Sequence, residues 1–241
     1  MPRFFLNEDS INGDVITVTG GDAVHIGRSL RMKTGDRLTF CRQGTDFESV
    51  IEKITADTVI CRVERTAPCS AEPRLRLSVF QALPKGDKAE MIVQKCTELG
   101  AADITFFLSS RCVSRPDERS GEKKIARLRK IAEEASKQSG RGMIPEIRGI
   151  VSFEEAVQRL AEKEIPLICY ENGGKRLSSF PFESAEDCGV MIGSEGGFDR
   201  DEVDLAARFG ASPVWLGERI LRCETAPLAV TAVIMNLAGD F

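Results

Sequence analysis

Two short segments near the carboxyl terminus hold residue types that could do chemistry. Gly193-Ser-Glu-Gly-Gly197 sets one carboxylate among three glycines, and Gly217-Glu-Arg-Ile-Leu-Arg-Cys-Glu-Thr-Ala226 sets two arginines among two glutamates. Glycine leaves backbone amides and carbonyls open to close approach, because no side chain intervenes. Carboxylates can accept or direct a proton, and a guanidinium can offset charge on an oxygen. Each segment follows an apolar run, Gly189-Val-Met-Ile-Gly193 and Pro213-Val-Trp-Leu-Gly217. Two buried strands that deliver two glycine-marked loops read as a small-molecule pocket. Taken alone, the first segment also fits an ordinary strand-to-helix turn. It is neither a G-x-G-x-x-G fingerprint nor a phosphate loop, since no Gly-Lys-Ser/Thr follows.

Other chemistries find little support. His25 is the one histidine, so a site needing two is excluded, and a polar contact explains it better than catalysis. The eight cysteines are scattered without a Cys-x-x-Cys pair. That pattern suits reduced thiols in a cytoplasm and no metal centre. Net charge is −4, spread as −2 over residues 1–72, +6 over 73–148 and −8 over 149–241. Binding to phosphate needs a local positive field rather than a basic protein. In the basic third, Ser109-Ser-Arg-Cys-Val-Ser-Arg115 interleaves hydroxyls with guanidinium groups, a mixture that donates well to phosphate oxygens. Lys123 to Lys130 fits a solvated helix face.

These residues need elements to position them. Residues 1–66 alternate in short runs with tight turns between, predicting a small all-β barrel interrupted by a helix from about Ala23 to Met32. Thr66–Pro73 reads as a linker, giving domains 1–72 and 73–241. Beyond it, strands Leu75–Ala82, Ile104–Leu108, Ile165–Tyr170, Val190–Gly193 and Val214–Leu216 alternate with helices. The helices are expected at about Asp87–Leu99, Lys123–Ser139, Ser152–Lys163, from Asp199 to a stop at Gly210, and Thr225–Leu237. This alternation predicts an α/β domain with a mostly parallel sheet covered on both faces. The last helix is apolar nearly all round, as in a core or a subunit contact. No apolar stretch is long enough for a bilayer, and Met1-Pro-Arg-Phe-Phe lacks the parts of a secretory signal, which points to a cytoplasmic location without a membrane partner.

Several motifs occur together in order. They are Pro84-Lys-Gly-Asp-Lys88, Gln94-Lys-Cys-Thr-Glu-Leu-Gly100, Glu134-Ala-Ser-Lys-Gln-Ser-Gly-Arg141, Ile192-Gly-Ser-Glu-Gly-Gly-Phe198 and Leu216-Gly-Glu-Arg-Ile-Leu-Arg-Cys-Glu-Thr-Ala226. With His25-Ile-Gly-Arg-Ser-Leu-Arg-Met-Lys33, they make essentially the whole chain resemble the ribosomal small-subunit RNA uridine-N3 methyltransferases, a branch of the SPOUT α/β-knot superfamily. Two departures are Ser194 and Phe106, where that family commonly has proline.

The resemblance implies a PUA-like β-barrel domain followed by a SPOUT domain threaded into a trefoil knot, and a homodimer. It also implies S-adenosyl-L-methionine as cofactor and 16S ribosomal RNA or the 30S subunit as substrate. The cofactor contacts it suggests are Tyr170, Glu171, Gly193, Glu195, Gly196, Gly197, Leu216, Gly217, Ile220, Leu221, Arg222, Thr225 and Ala226. Uridine N3 carries a proton on the pairing edge, so the base must be unpaired before reaction. Glu195 and Glu224 are the candidates to accept that proton or orient the base, and Arg222 to steady charge on the uracil oxygens. Arg28, Arg31, Lys33, Arg111, Arg115 and Arg141 would form the RNA track. The competing reading is a non-catalytic RNA-binding or ribosome-assembly protein with a vestigial pocket. It shares the barrel and the track, while two intact loops favour the enzyme.

Overall fold

Period-two alternation in the first part of the chain produces strands, as the side-chain geometry of a pleated backbone requires. The structure, a computed structural model, describes residues 1–241 apart from the side chain of Glu8. It divides into two compact units, Met1–Glu72 with Ser136–Met143, and Pro73–Ala135 with Ile144–Phe241. The first holds β1 (Arg3–Phe5), β2 (Ile11–Asn12), β3 (Val15–Thr19), α1 (Gly20–Val24), β4 (Arg37–Arg42), β5 (Thr45–Ile54) and β6 (Thr58–Pro68). Its strands form one sheet in the order β1-β4-β5-β6-β3-β2, a half-barrel whose edge strands β1 and β2 are not paired with each other. Ile16, Ile26, Leu38, Phe40, Ile51 and Val59 fill its core.

Two expectations in this unit are corrected. The helix foreseen over Ala23–Met32 is a short α1 followed by a wider π turn, His25–Ser29. That turn buries Ile26 and leaves Arg28 outside, and Gly27 within it weakens regular helix. Arg31, just beyond, sits at φ 54, a conformation few side chains adopt. The supposed linker begins as strand, because β6 runs on to pair Pro68 with Thr45. His25 is exposed and lies edge-on to Phe4 at 5.9 Å between ring centroids, an aromatic contact rather than the polar one expected.

The second unit holds β7 (Arg76–Ala82), α2 (Lys88–Glu98), β8 (Asp103–Leu108), α3 (Glu118–Ser139), β9 (Glu146–Ser152), α4 (Phe153–Ala161), β10 (Ile165–Cys169), β11 (Asp187–Ile192), α5 (Arg200–Arg208), β12 (Ser212–Val214) and α6 (Thr225–Ala238). The end of α3 belongs to the first unit. All six strands are parallel, in the order β12-β10-β11-β7-β8-β9. A parallel sheet buried on both faces needs continuous apolar strands, and β7 is buried from Leu77 through Ala82. Chain order runs outward from β7 to β9, then returns to the other side of β7. The order therefore reverses between β7 and β11, where α/β sheets bind ligands beyond their strand ends.

Several elements differ from the sequence pattern, among them β11, which starts at Asp187 rather than Val190. β9 was not foreseen, because Gly149 at φ 100 and a register shift against β8 break its alternation. α3 starts at Glu118 rather than Lys123, since the Asp117 carboxylate accepts from the Ser120 N–H at 2.8 Å. β12 ends at Val214, which leaves Trp215 and Leu216 in the loop beyond it. Asp199 and Glu202 form the expected reciprocal cap on α5, and Ser152 accepts from the Glu155 N–H at 3.1 Å to start α4. Among the described residues, no helix is long and apolar enough to cross a membrane.

Candidate active site

Four strand ends converge at the reversal. β11 runs into Gly193–Phe198, β10 into Tyr170-Glu171, β12 into Trp215–Glu224, and β7 through a short loop into α2. Together they enclose a cavity of about 480 Å³, a size suited to a small organic ligand. Tyr170, Glu171, Gly193, Glu195, Gly196, Gly197, Leu216, Gly217, Ile220, Leu221, Arg222, Glu224 and Ala226 line it, as do Lys88 and Cys223. Thr225 does not: it opens α6 and is exposed.

The Gly193–Gly197 loop is tight for a steric reason. A Cβ on Gly193 would stand 2.9 Å from the Gly197 carbonyl carbon. Gly197 has φ 67, and a Cβ there would meet the Glu171 carboxylate at 2.7 Å. The Gly197 N–H donates to the Ser194 carbonyl at 2.9 Å, closing the turn. Arg111 braces the loop from the segment after β8. Its Nη1 donates to the Gly196 carbonyl at 2.7 Å, and its guanidinium pairs with Asp199. Ser110 Oγ donates to the same Asp199 at 2.6 Å. The hydrogen bond from Ser110, together with Arg111, holds the Asp199 pKa below its ordinary value.

The two predicted carboxylates meet on one cation. Lys88 Nζ donates to Glu195 Oε1 at 2.9 Å and lies 3.4 Å from Glu224 Oε2 and 3.7 Å from Cys223 Sγ. The Lys85 backbone N–H also donates to Glu195 Oε1, at 3.1 Å. Partial burial pushes the Glu195 pKa up, but the hydrogen bond from Lys88, backbone N–H donors and the ammonium charge outweigh it and hold it at about 2. Backbone donation, the Cys223 thiol and Lys88 lower the Glu224 pKa as well. The hydrogen bond to Glu195 raises the Lys88 pKa, and burial pushes the Cys223 thiol up to about 12. At neutral pH the cluster is one ammonium, two carboxylates and an un-ionised thiol.

The expected RNA residues fall in different settings. Arg28, Arg31, Lys33 and Arg115 are exposed. Arg111 is tied to the glycine loop. Arg141 is only 4% exposed, and its Nη2 donates to Glu72 Oε2 at 2.8 Å. Glu72 Oε1 also accepts the Gly142 and Met143 N–H groups at 2.8 and 2.9 Å. Arg141 thus belongs to the interior of the first unit rather than to its surface. Lys88 closes one of the family-like motifs without a role assigned to it there, although one signal is present: a lysine opening a helix opposes the dipole.

A parallel α/β sheet with a glycine-walled, carboxylate-flanked pocket at its reversal defines a protein that holds a small cofactor. A family profile described as RNA methyltransferase domain matches residues 71–235, and the chain belongs to that family. It is similar to ribosomal RNA small subunit methyltransferase E of Bacillus subtilis (strain 168), 32% identical over 97% of this chain and 96% of that protein. The protein of the same name from Mycobacterium bovis is 29% identical over 98% of this chain and 90% of its own. A crystal structure of ribosomal RNA small subunit methyltransferase E from Neisseria gonorrhoeae, bound to S-adenosyl methionine, superposes with a TM-score of 0.88. It is 28% identical, with 98% of each chain covered.

Proposed function

We propose that this chain is an S-adenosylmethionine-dependent methyltransferase acting on small-subunit ribosomal RNA, at N3 of one uridine. The observation that carries the reading is the pocket itself, two glycine loops and two carboxylates at the sheet reversal. The match to small-subunit methyltransferases over nearly the full chain supports it.

The residues present suit the cofactor. Ser194 Oγ is buried in the pocket wall without a hydrogen-bond partner among the described residues, and an orphaned hydroxyl there costs free energy until a ligand or water meets it. Gly193 leaves bare backbone in the wall, because any side chain there would collide with Gly197 across the same turn. Glu171, Glu195, Glu218 and Glu224 outnumber Lys88, Arg219 and Arg222 around the cavity, so a cationic ligand is favoured. When bound, S-adenosylmethionine supplies an electrophilic methyl group on a positively charged sulfur.

The chain's own groups then have these tasks. Gly193, Gly196, Gly197, Leu216, Ile220 and Leu221 present backbone to the cofactor, with Tyr170 and Glu171 at its ribose. Glu195, with a pKa of about 2, is a poor proton acceptor at neutral pH, because a useful base titrates near the working pH. It acts as a fixed charge that orients the base, and Glu224 shares that role. Arg222 is exposed at the mouth and makes no ion pair among the described residues, so its guanidinium is free to offset charge on the uracil oxygens as N3 gives up its proton to solvent. Holding nitrogen and methyl group in line provides much of the acceleration.

Arg28, Arg31, Lys33 and Arg115 supply phosphate contacts. A PUA-like fold for the first unit, the trefoil threading of the second, a homodimer and a cytoplasmic site of action complete the reading. Small ribosomal subunits lacking the mark, incubated with labelled cofactor, should gain one 3-methyluridine. Saturating S-adenosylmethionine at about 100 times its dissociation constant should stabilise the fold by about 2.7 kcal/mol, and ATP should not. RNA binding without cofactor uptake would establish the assembly-protein alternative instead.

A further inference from the structure

Lys88 is the first residue of α2, where an ammonium meets the positive end of the helix dipole. Local preference therefore argues against lysine at this position. α2 is packed beside α6, with Ala89, Ile92, Val93 and Cys96 buried in the core of the second unit, so the Lys88 Cα sits on a packed element. From there the side chain reaches two loops that arrive from different strands. An ammonium has three protons, and three acceptors surround this one: Glu195 Oε1 at 2.9 Å, Glu224 Oε2 at 3.4 Å and Cys223 Sγ at 3.7 Å. No donor is left over for a substrate. Without the ammonium, two carboxylates that now share one cation would face each other, and their repulsion would drive the loops apart.

We propose that Lys88 is the positioning residue of this site, its ammonium drawing Glu195 and Glu224 together so that the two glycine-marked loops close on one pocket. The inference rests on the methyltransferase reading and adds a role that the reading does not require. It accounts for a lysine at a helix start, and it explains why the two carboxylates are held as charges rather than left free to take protons. Glu171, Glu218, Arg219 and Arg222 also line the cavity, but none replaces the link, since Glu218, Arg219 and Arg222 lie on one of the two loops being joined and Glu171 follows β10.

The test uses the full chain and four variants: Lys88→Met, Lys88→Arg, Glu195→Gln and the double variant Lys88→Met/Glu195→Gln. Cofactor affinity is read by calorimetry, kcat and KM on small ribosomal subunits, and folding by thermal melts. Lys88→Met should weaken S-adenosylmethionine binding and lower kcat, each by about tenfold, the scale of a lost charged hydrogen bond. Lys88→Arg should recover most of both. The double variant should lose less than the product of the two single losses, because each side chain acts through the other. Losses that multiply, or a Lys88→Met protein within twofold of the parent in both quantities, overturn the proposal. If Lys88→Met does not fold, Lys88→Arg decides it: near-parent affinity and kcat support the proposal, and a loss equal to that of Glu195→Gln overturns it. A parent that binds cofactor while Lys88→Met is unimpaired sinks only the role of Lys88, whereas a parent that binds none sinks the methyltransferase reading as well.

Discussion

Glu195 is where charge and stability meet. Its folded pKa of about 2 lies below the ordinary 4.5 for glutamate. A carboxylate whose pKa is depressed by folding binds fewer protons in the native state than in the unfolded state. Its contribution is fully present above pH 4.5 and is lost as the pH falls through 2. Glu195→Gln should therefore flatten the fall in stability below pH 4.5, as read from urea midpoints at pH 5 and pH 3. Glu224, Asp199 and Asp46, also lowered, keep the remaining slope. An identical pH dependence in the variant would mean that Glu195 is not held by Lys88. At this scale the sequence showed the carboxylates and their glycine neighbours, because residue type and local spacing carry that information. It did not show the cation between them, since Lys88 lies 107 residues from Glu195.

Among elements, the turn after α3 separates two arginines that looked alike in the sequence. Arg28 is an exposed residue of the π turn, whereas Arg141 is a buried partner of Glu72. Arg141→Ala should destabilise the first unit by about 3 kcal/mol, as expected when one partner of a buried ion pair is removed, and leave the salt dependence of RNA binding unchanged. Arg28→Ala should do the reverse, lowering the salt slope by about one with no change in melting temperature. Melting curves and filter binding at several salt concentrations distinguish them. Helix starts and stops were legible where a cap or a glycine marked them, as at Ser152, Asp199 and Gly210. β9 was not legible, because Gly149 interrupts its alternation. β12 was displaced by two residues because an apolar run lacks a marker for where pairing ends. That displacement matters, since it frees Trp215 and Leu216 to line the pocket.

On the scale of the whole molecule, α6 buries Ala226, Pro227, Val230, Thr231, Ile234 and Met235 while Val233 stays 44% exposed. Met91 on α2, which packs beside α6, is 50% exposed. If this apolar ground is the dimer surface, Val233→Glu should yield monomer by sedimentation with α-helical content unchanged, because a buried unpaired charge opposes association. A dimer that survives the change would place the subunit contact elsewhere. The linear chain determined most element types, the α/β class, both carboxylate loops and the likeness to a methyltransferase family, all carried by short-range period and residue identity. Only the tertiary structure decided that Lys88 joins the two loops, that Arg141 faces inward and that Arg111 braces the glycine turn. The order of parallel strands brings Lys88 and Arg111 to the two loops, and the packing of the first unit brings Arg141 to Glu72; neither is set by any local pattern.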